Sequence, residues 1–193
     1  MFEIIDDLLT ESYLRDLQNY FLSQQCEWHF NDNLTSEDSY CKNGSFGFVI
    51  RLHWNQMFLE SHSAMICRAL ILSAQDKVSE VMKTQHLVVR ARADMTLYNP
   101  EKYVHEIHTD YPYEHTTAIF YLNTSDGNTL LYDREGKELL KEVEPVENRL
   151  LIFDGLLQHT GHSPAEHKSR VLFNMNFMTP DLINDLNNRY RNQ

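Results

Sequence analysis

The chain has 193 residues, 42% of them hydrophobic and 11% aromatic, enough for one core of ordinary domain size and too much for a disordered chain. Its 17 basic residues stand against 28 acidic ones, a net charge of −11 with no basic run, which argues against a protein that grips nucleic acid. No apolar run reaches membrane-spanning length, MFEIIDDLLTE is unlike a signal peptide, and Cys26, Cys41 and Cys67 include no close pair; the expectation is a cytoplasmic protein without membrane contact.

In chain order, Tyr13, Leu14, Leu17, Tyr20 and Phe21 recur at the spacing of one helix face. They predict a helix over residues 11–22, with Thr10 at its N-cap and Glu11 in its first turn. Residues 31–47, NDNLTSEDSYCKNGSFG, are rich in turn formers and predict a long loop, a length often found at a site mouth. A second helical region is expected over 58–83, with ALILSAQDKVSEVM as its stronger half. The texture then changes to short apolar, β-branched or aromatic runs: HLVVRARA (86–93), TTAIFYLN (116–123), NTLLYD (128–133), KELLKEV (137–143), NRLLIF (148–153) and RVLFNMNFM (170–178). Their connections are too short for parallel crossovers. The expected fold is therefore mainly β with flanking helices, an antiparallel sandwich or jelly roll preceded by N-terminal helices. It reads as a single domain over 1–193, with helical support over about 1–84, a β core over 85–178 and a C-terminal tail over 179–193.

The stretch HEIHTDYP, residues 105–112, gathers imidazoles and carboxylates. With 10 histidines in the chain, chance alone gives roughly 0.7 His-x-Asp triplets, so the motif needs company. His108 and Asp110 lie two apart on an extended segment and so point to one face, where they can bind one ion. A third ligand is sought in FDGLLQHTGHSP, residues 153–164, which offers His159 and His162. Two imidazoles and one carboxylate are the ligand set of non-haem Fe(II) oxygenases, with positions left open for a chelating cosubstrate and dioxygen. A closed zinc site would need a fourth ligand, usually cysteine, and no cysteine is near. Arg170 opens the strand RVLFNMNFM and is a candidate for a two-pronged salt bridge with a dicarboxylate. Alternation puts Leu172, Asn174 and Asn176 on its face, which makes Asn174 a candidate lining residue.

The order HTD, then FDG-xxx-HTGHSP, then RVLFNMNF resembles the 2-oxoglutarate- and Fe(II)-dependent dioxygenase superfamily in its prolyl 4-hydroxylase-like branch, over about residues 88–178. The resemblance implies a double-stranded β-helix core and Fe(II) held by His108, Asp110 and His159. His159 is favoured over His162 by its spacing from FDG and the HxG-then-Pro pattern around it. It further implies 2-oxoglutarate bound by Arg170 and Tyr121, Tyr98 facing the cosubstrate pocket ten residues before the first ligand, and O2 as the second cosubstrate. Halogenating members have a small residue where this chain has Asp110, so hydroxylation with release of succinate and CO2 is the implied reaction. The turn after YLN carries DGNT where relatives often have a Gly-Gly-x-Thr-like turn, so the substrate-side loop is expected to differ.

A small-molecule or peptide substrate, prolyl in type or another amino acid, is expected, and the acidic composition mildly favours a neutral or basic one. The rival readings are a non-catalytic jelly-roll metal- or ligand-binding module and a cupin-like iron enzyme that does not use 2-oxoglutarate. His105, His115, His162 and His167 read as surface groups or supports rather than ligands, and Glu106 as solvated. Apart from the resemblance, Tyr98 and Tyr121 are ordinary core aromatics.

Overall fold

In chain order the structure, a computed structural model that describes residues 1–32, 34 and 46–191, runs β1 (Phe2–Ile5), α1 (Glu11–Phe21), β2 (His29–Asn31), β3 (Gly47–Trp54), β4 (Met57–Phe58) and α2 (His62–Met82). It continues through β5 (Leu87–Leu97), β6 (Thr116–Tyr121), β7 (Thr129–Tyr132), β8 (Leu139–Val143), β9 (Arg149–Asp154), β10 (His159–Gly161), β11 (Ser169–Met178) and α3 (Pro180–Arg191). Cys41 and most of the loop expected over 31–47 lie outside the described residues. No helix of the described residues is long and apolar enough to cross a membrane.

The strands form an antiparallel eight-stranded sheet, ordered β1-β9-β6-β11-β5-β3-β2 with β4 on β3, and a three-stranded sheet, β10-β7-β8. Side chains alternate across the large sheet. Ala91 and Ala93 of β5, Ala118 and Phe120 of β6, Leu150 and Ile152 of β9, and Val171, Phe173, Met175 and Phe177 of β11 face the helices. Leu14, Leu17 and Phe21 of α1 and Cys67, Leu70, Ile71, Ala74 and Val78 of α2 cover that face. On the other face Ile119, Tyr121, Leu151, Phe153 and Leu172 meet Leu131 and Val143 of the small sheet. Both faces of the central strands are therefore buried, which is why TTAIFY and NRLLIF read as continuous apolar runs.

Ser61 caps α2, its Oγ accepting from the Ala64 N–H at 3.1 Å, so the helix starts later than residue 58 and β4 occupies the start of that range. Thr10 stands at the N-cap of α1 but makes no side-chain cap bond. Two domain-map expectations need correction. Residues 1–84 are not only helical, because β1 pairs with β9 and β3 with β5, extending the large sheet at both edges. The segment after 178 is not a plain tail: Pro180, its ring preset for a first helical turn, opens α3, and Ile183 packs on Val89 and Met178.

Candidate metal centre and its two cavities

The segment after β5 returns over the mouth of the sandwich and pairs with β10. His108 N–H donates to the His159 carbonyl at 3.0 Å and His159 N–H to the His108 carbonyl at 2.9 Å. This two-way bond sets the imidazoles side by side, ring centroids 4.5 Å apart. Asp110, two residues on, turns to the same spot, with Oδ2 3.8 Å from His159 Nε2. One ligand atom from each of His108, Asp110 and His159 lies within 4.8 Å of the others.

The tautomers follow from the backbone. His108 Nδ1 lies 3.0 Å from the Glu106 carbonyl oxygen and His159 Nδ1 3.4 Å from that of Leu157. A carbonyl only accepts, so each Nδ1 carries the proton and each Nε2 keeps its lone pair, the form a metal needs. Burial pushes both rings below the ordinary imidazole value, His159 to about 3, which keeps them neutral. Burial alone would raise the Asp110 carboxyl, but the Arg90 guanidinium, with help from Arg92, holds it well below the usual carboxylate range. Arg90 Nη2 donates to Asp110 Oδ1, Asn176 Nδ2 donates to Oδ2 at 2.8 Å, and Asn174 and Thr117 reach the carboxylate at 3.4 Å. Bonds of about 2 Å to a divalent ion put adjacent ligand atoms roughly 3 Å apart. The three groups fit such an ion once their side chains draw slightly inward.

Two cavities meet at these residues. The inner cleft, about 60 Å³, is lined by Arg170, Thr129, His105, Asp94, Thr96 and Asn174 with His108 and His159. Arg170 is buried in its lining, and Nη2 donates to Thr129 Oγ1 at 2.7 Å. Tyr121 OH in turn donates to Thr129 Oγ1 at 2.8 Å. A Cβ on Gly161 would stand 3.0 Å from both Arg170 Nη atoms, and one on Gly127 2.8 Å from its Cδ. Glycine at both positions lets the backbone lie against the Arg170 side chain. The cleft is narrow, so a five-carbon dicarboxylate enters only as lining side chains move apart. The outer cavity, about 580 Å³, opens on the other side of His108 and Asp110 and is walled by Trp54, Tyr111, Tyr113 and α3. Among the described residues its lining holds Arg51, Arg90 and Arg92, and Asp110 is its one carboxylate.

The structure gathers His108, Asp110 and His159 at one spot, with Arg170 and Asn174 in the adjoining cleft; Tyr121 stands behind the cleft wall and meets it through its bond to Thr129. It leaves out Tyr98. That residue is 53% exposed and lines neither cavity, because β5 ends at Leu97 and the last inward position of the strand is filled by Thr96. His162 is also no ligand candidate, since Nδ1 donates to the Ser163 carbonyl and Nε2 accepts the Asn128 N–H. His105 and His115 are buried rather than surface groups. Sequence reasoning missed Arg90, Arg92, Asp94 and Thr129. The polar-small alternation of RARAD in an otherwise apolar strand is the signal that points to the first three.

No family model matches the chain, and no curated protein matches it in sequence. Solved structures match its fold. An oxidoreductase of the 2OG-Fe(II) oxygenase family from Burkholderia pseudomallei superposes with a TM-score of 0.69 at 10% identity, over 91% of this chain and 84% of that one. A prolyl hydroxylase from Trichoplax adhaerens, in complex with a hypoxia inducible factor oxygen degradation domain peptide fragment, gives 0.66 at 16% identity over 93% and 84%. HygX from Streptomyces hygroscopicus, with nickel and 2-oxoglutarate bound, gives 0.63 at 10% identity over 93% and 83%. The chain has the jelly-roll fold of these oxygenases.

Proposed function

We propose that the chain is an Fe(II)- and 2-oxoglutarate-dependent dioxygenase that hydroxylates a prolyl or other amino-acid or peptide substrate. The observation that carries the reading is the cluster of neutral His108 and His159 with ionised Asp110, beside the buried Arg170 guanidinium in the adjoining cleft. Iron with 2-oxoglutarate and O2 supplies, when bound, the oxidising power to hydroxylate an unactivated C–H bond while succinate and CO2 are released.

The chain's own part is geometric and electrostatic. His108 and His159 present Nε2 lone pairs fixed by their Nδ1–H bonds to backbone, and Asp110 is kept ionised by Arg90. Arg170, propped by Thr129 and Tyr121, is the counter-charge for the far carboxylate of 2-oxoglutarate, and its burial strengthens that pairing by keeping water out. The outer cavity is within the size range of small-ligand sites and takes the substrate beside Asp110. The Trichoplax neighbour's peptide complex supports a peptide among the substrates to be tried.

The test is succinate formation. The Fe(II)-loaded protein in air, given 2-oxoglutarate and a panel of prolyl peptides and free amino acids, should form succinate with a matching hydroxylated product, and His159→Ala should not. A folded, iron-loaded wild type that forms neither leaves the jelly roll as a binding module.

A further inference from the structure

We propose that His105 is a binding residue for the far carboxylate of 2-oxoglutarate, acting beside Arg170 and Thr129. This rests on the dioxygenase reading and goes beyond its metal ligands and arginine.

His105 stands three residues before His108, on the segment that pairs with β10. Its own backbone is held from two sides: its N–H donates to the Gly161 carbonyl at 2.9 Å, and its carbonyl accepts from Thr160 Oγ1 at 2.7 Å. The ring is 7% exposed, packs edge-on against Tyr103 and lines the inner cleft. Neither ring nitrogen has a hydrogen-bond partner. A neutral imidazole always carries one N–H, and a buried donor left unpaired is rare in folded proteins unless a ligand completes it.

Its neighbours in the cleft share the need. Arg170 Nε is buried without a partner. Thr129 Oγ1 already accepts from both Arg170 Nη2 and Tyr121 OH, which leaves its own O–H to donate. Donors from three side chains therefore line one cleft, and a carboxylate, with four lone-pair sites, satisfies all of them. Asp94, the carboxylate in the lining, is already tied through Oδ2 to Arg92 Nε at 3.1 Å. Its unpartnered Oδ1, and that of Asn174 in the same lining, offer the competing use of the ring, a water-bridged link to His105. Burial and the nearby Arg170 charge push His105 down to about 3, so the ring offers one N–H and no charge.

The experiment measures dissociation constants anaerobically on the Fe(II) protein, from the visible charge-transfer band, for 2-oxoglutarate and for 2-oxobutanoate. The second acid keeps the chelating end and lacks the far carboxylate. His105→Phe keeps the ring shape without the donor, and His105→Gln keeps a donor. His105→Phe should weaken 2-oxoglutarate about tenfold to a hundredfold, the range for a hydrogen bond to a charged group, and leave 2-oxobutanoate within about twofold of wild type. His105→Gln should recover most of the loss. Thermal unfolding of the metal-free protein should find His105→Phe at least as stable as wild type, because an unpaired buried polar group is gone. Unchanged 2-oxoglutarate affinity in a folded His105→Phe protein overturns the proposal and favours the water-bridged link. Equal weakening of both acids also overturns it, placing the effect at the iron end or in packing. A wild type with no band overturns the dioxygenase reading and this one with it, whereas a wild-type band with an unaltered variant overturns this one alone.

Discussion

Asp110 stands at the crossing of two demands, ligand to a cation and partner to Arg90. The Arg90 guanidinium donates to Asp110 Oδ1 and, through Nε, to Asn176 Oδ1 at 2.8 Å, and it lies over the Tyr111 ring at 5.1 Å. Both charged groups are buried, so removing one leaves the other uncompensated. Arg90→Met should therefore cost the metal-free protein about 3–5 kcal/mol in urea unfolding. A bound divalent ion replaces the lost positive charge, so Mn(II) should recover more stability in Arg90→Met than it adds to wild type. A variant as stable as wild type without metal would contradict the pairing. The residues themselves were legible in uneven degree. His108, Asp110 and His159 stand in a spaced motif whose chemistry is read from residue type. Arg90, His105 and Thr129 carry no such mark, because their meaning comes from strands that meet them only in the fold. Tyr98 shows the limit of spacing: it has the right distance from His108, but the strand ends one residue before it.

Among the elements, the turn from β9 into β10 sets where His159 arrives. Asp154 Oδ1 accepts from the Leu156 N–H at 3.1 Å, and the Leu157 N–H donates to the Asp154 carbonyl at 2.9 Å. Gly155 lies against His115, whose ring a Cβ at that position would overlap. Gly155→Ala should destabilise the protein by about 1–3 kcal/mol, the usual cost of overpacking, read as a lower urea midpoint. It should also weaken metal binding, since the shifted turn carries His159; unaltered values for both would show that the turn gives freely. Elements with a long apolar signal were readable: α1, the core of α2, and β6, β9 and β11 lie where their patterns put them. The edge strands were not. β1 is four residues and β10 three, too short for a period to show, and both exist because of their partners β9 and β7. β3, GFVIRLHW, is long enough, but it adjoins a turn-rich stretch that masks its start.

At the scale of the molecule, the fold buries imidazoles in their neutral form. Burial first, in each case, holds His53, His105, His108, His115 and His159 below the ordinary value, with His105 and His159 at about 3. The unfolded chain takes up protons on these rings below about pH 6.5, while the folded chain takes them up only at lower pH. Stability is therefore complete above that pH and is lost as pH falls toward the folded values, at ~1.4 kcal/mol per pH unit for each ring still neutral in the fold. Asp94, whose carboxyl burial pushes up, works in the opposite sense. The urea midpoint of the metal-free protein should drop steadily between pH 6.5 and 4.5, and less steeply in His105→Phe; a flat profile would contradict the buried neutral rings. The same neutral rings, gathered with Asp110 beside a buried arginine, make the central claim a claim about binding. It is tested most directly by adding Fe(II) and then 2-oxoglutarate without oxygen and recording the visible spectrum. Wild type should develop the charge-transfer band of a chelated 2-oxo acid, His159→Ala should lack it, and Arg170→Ala should need about tenfold to a hundredfold more 2-oxoglutarate. A folded, iron-loaded wild type without the band would contradict the account.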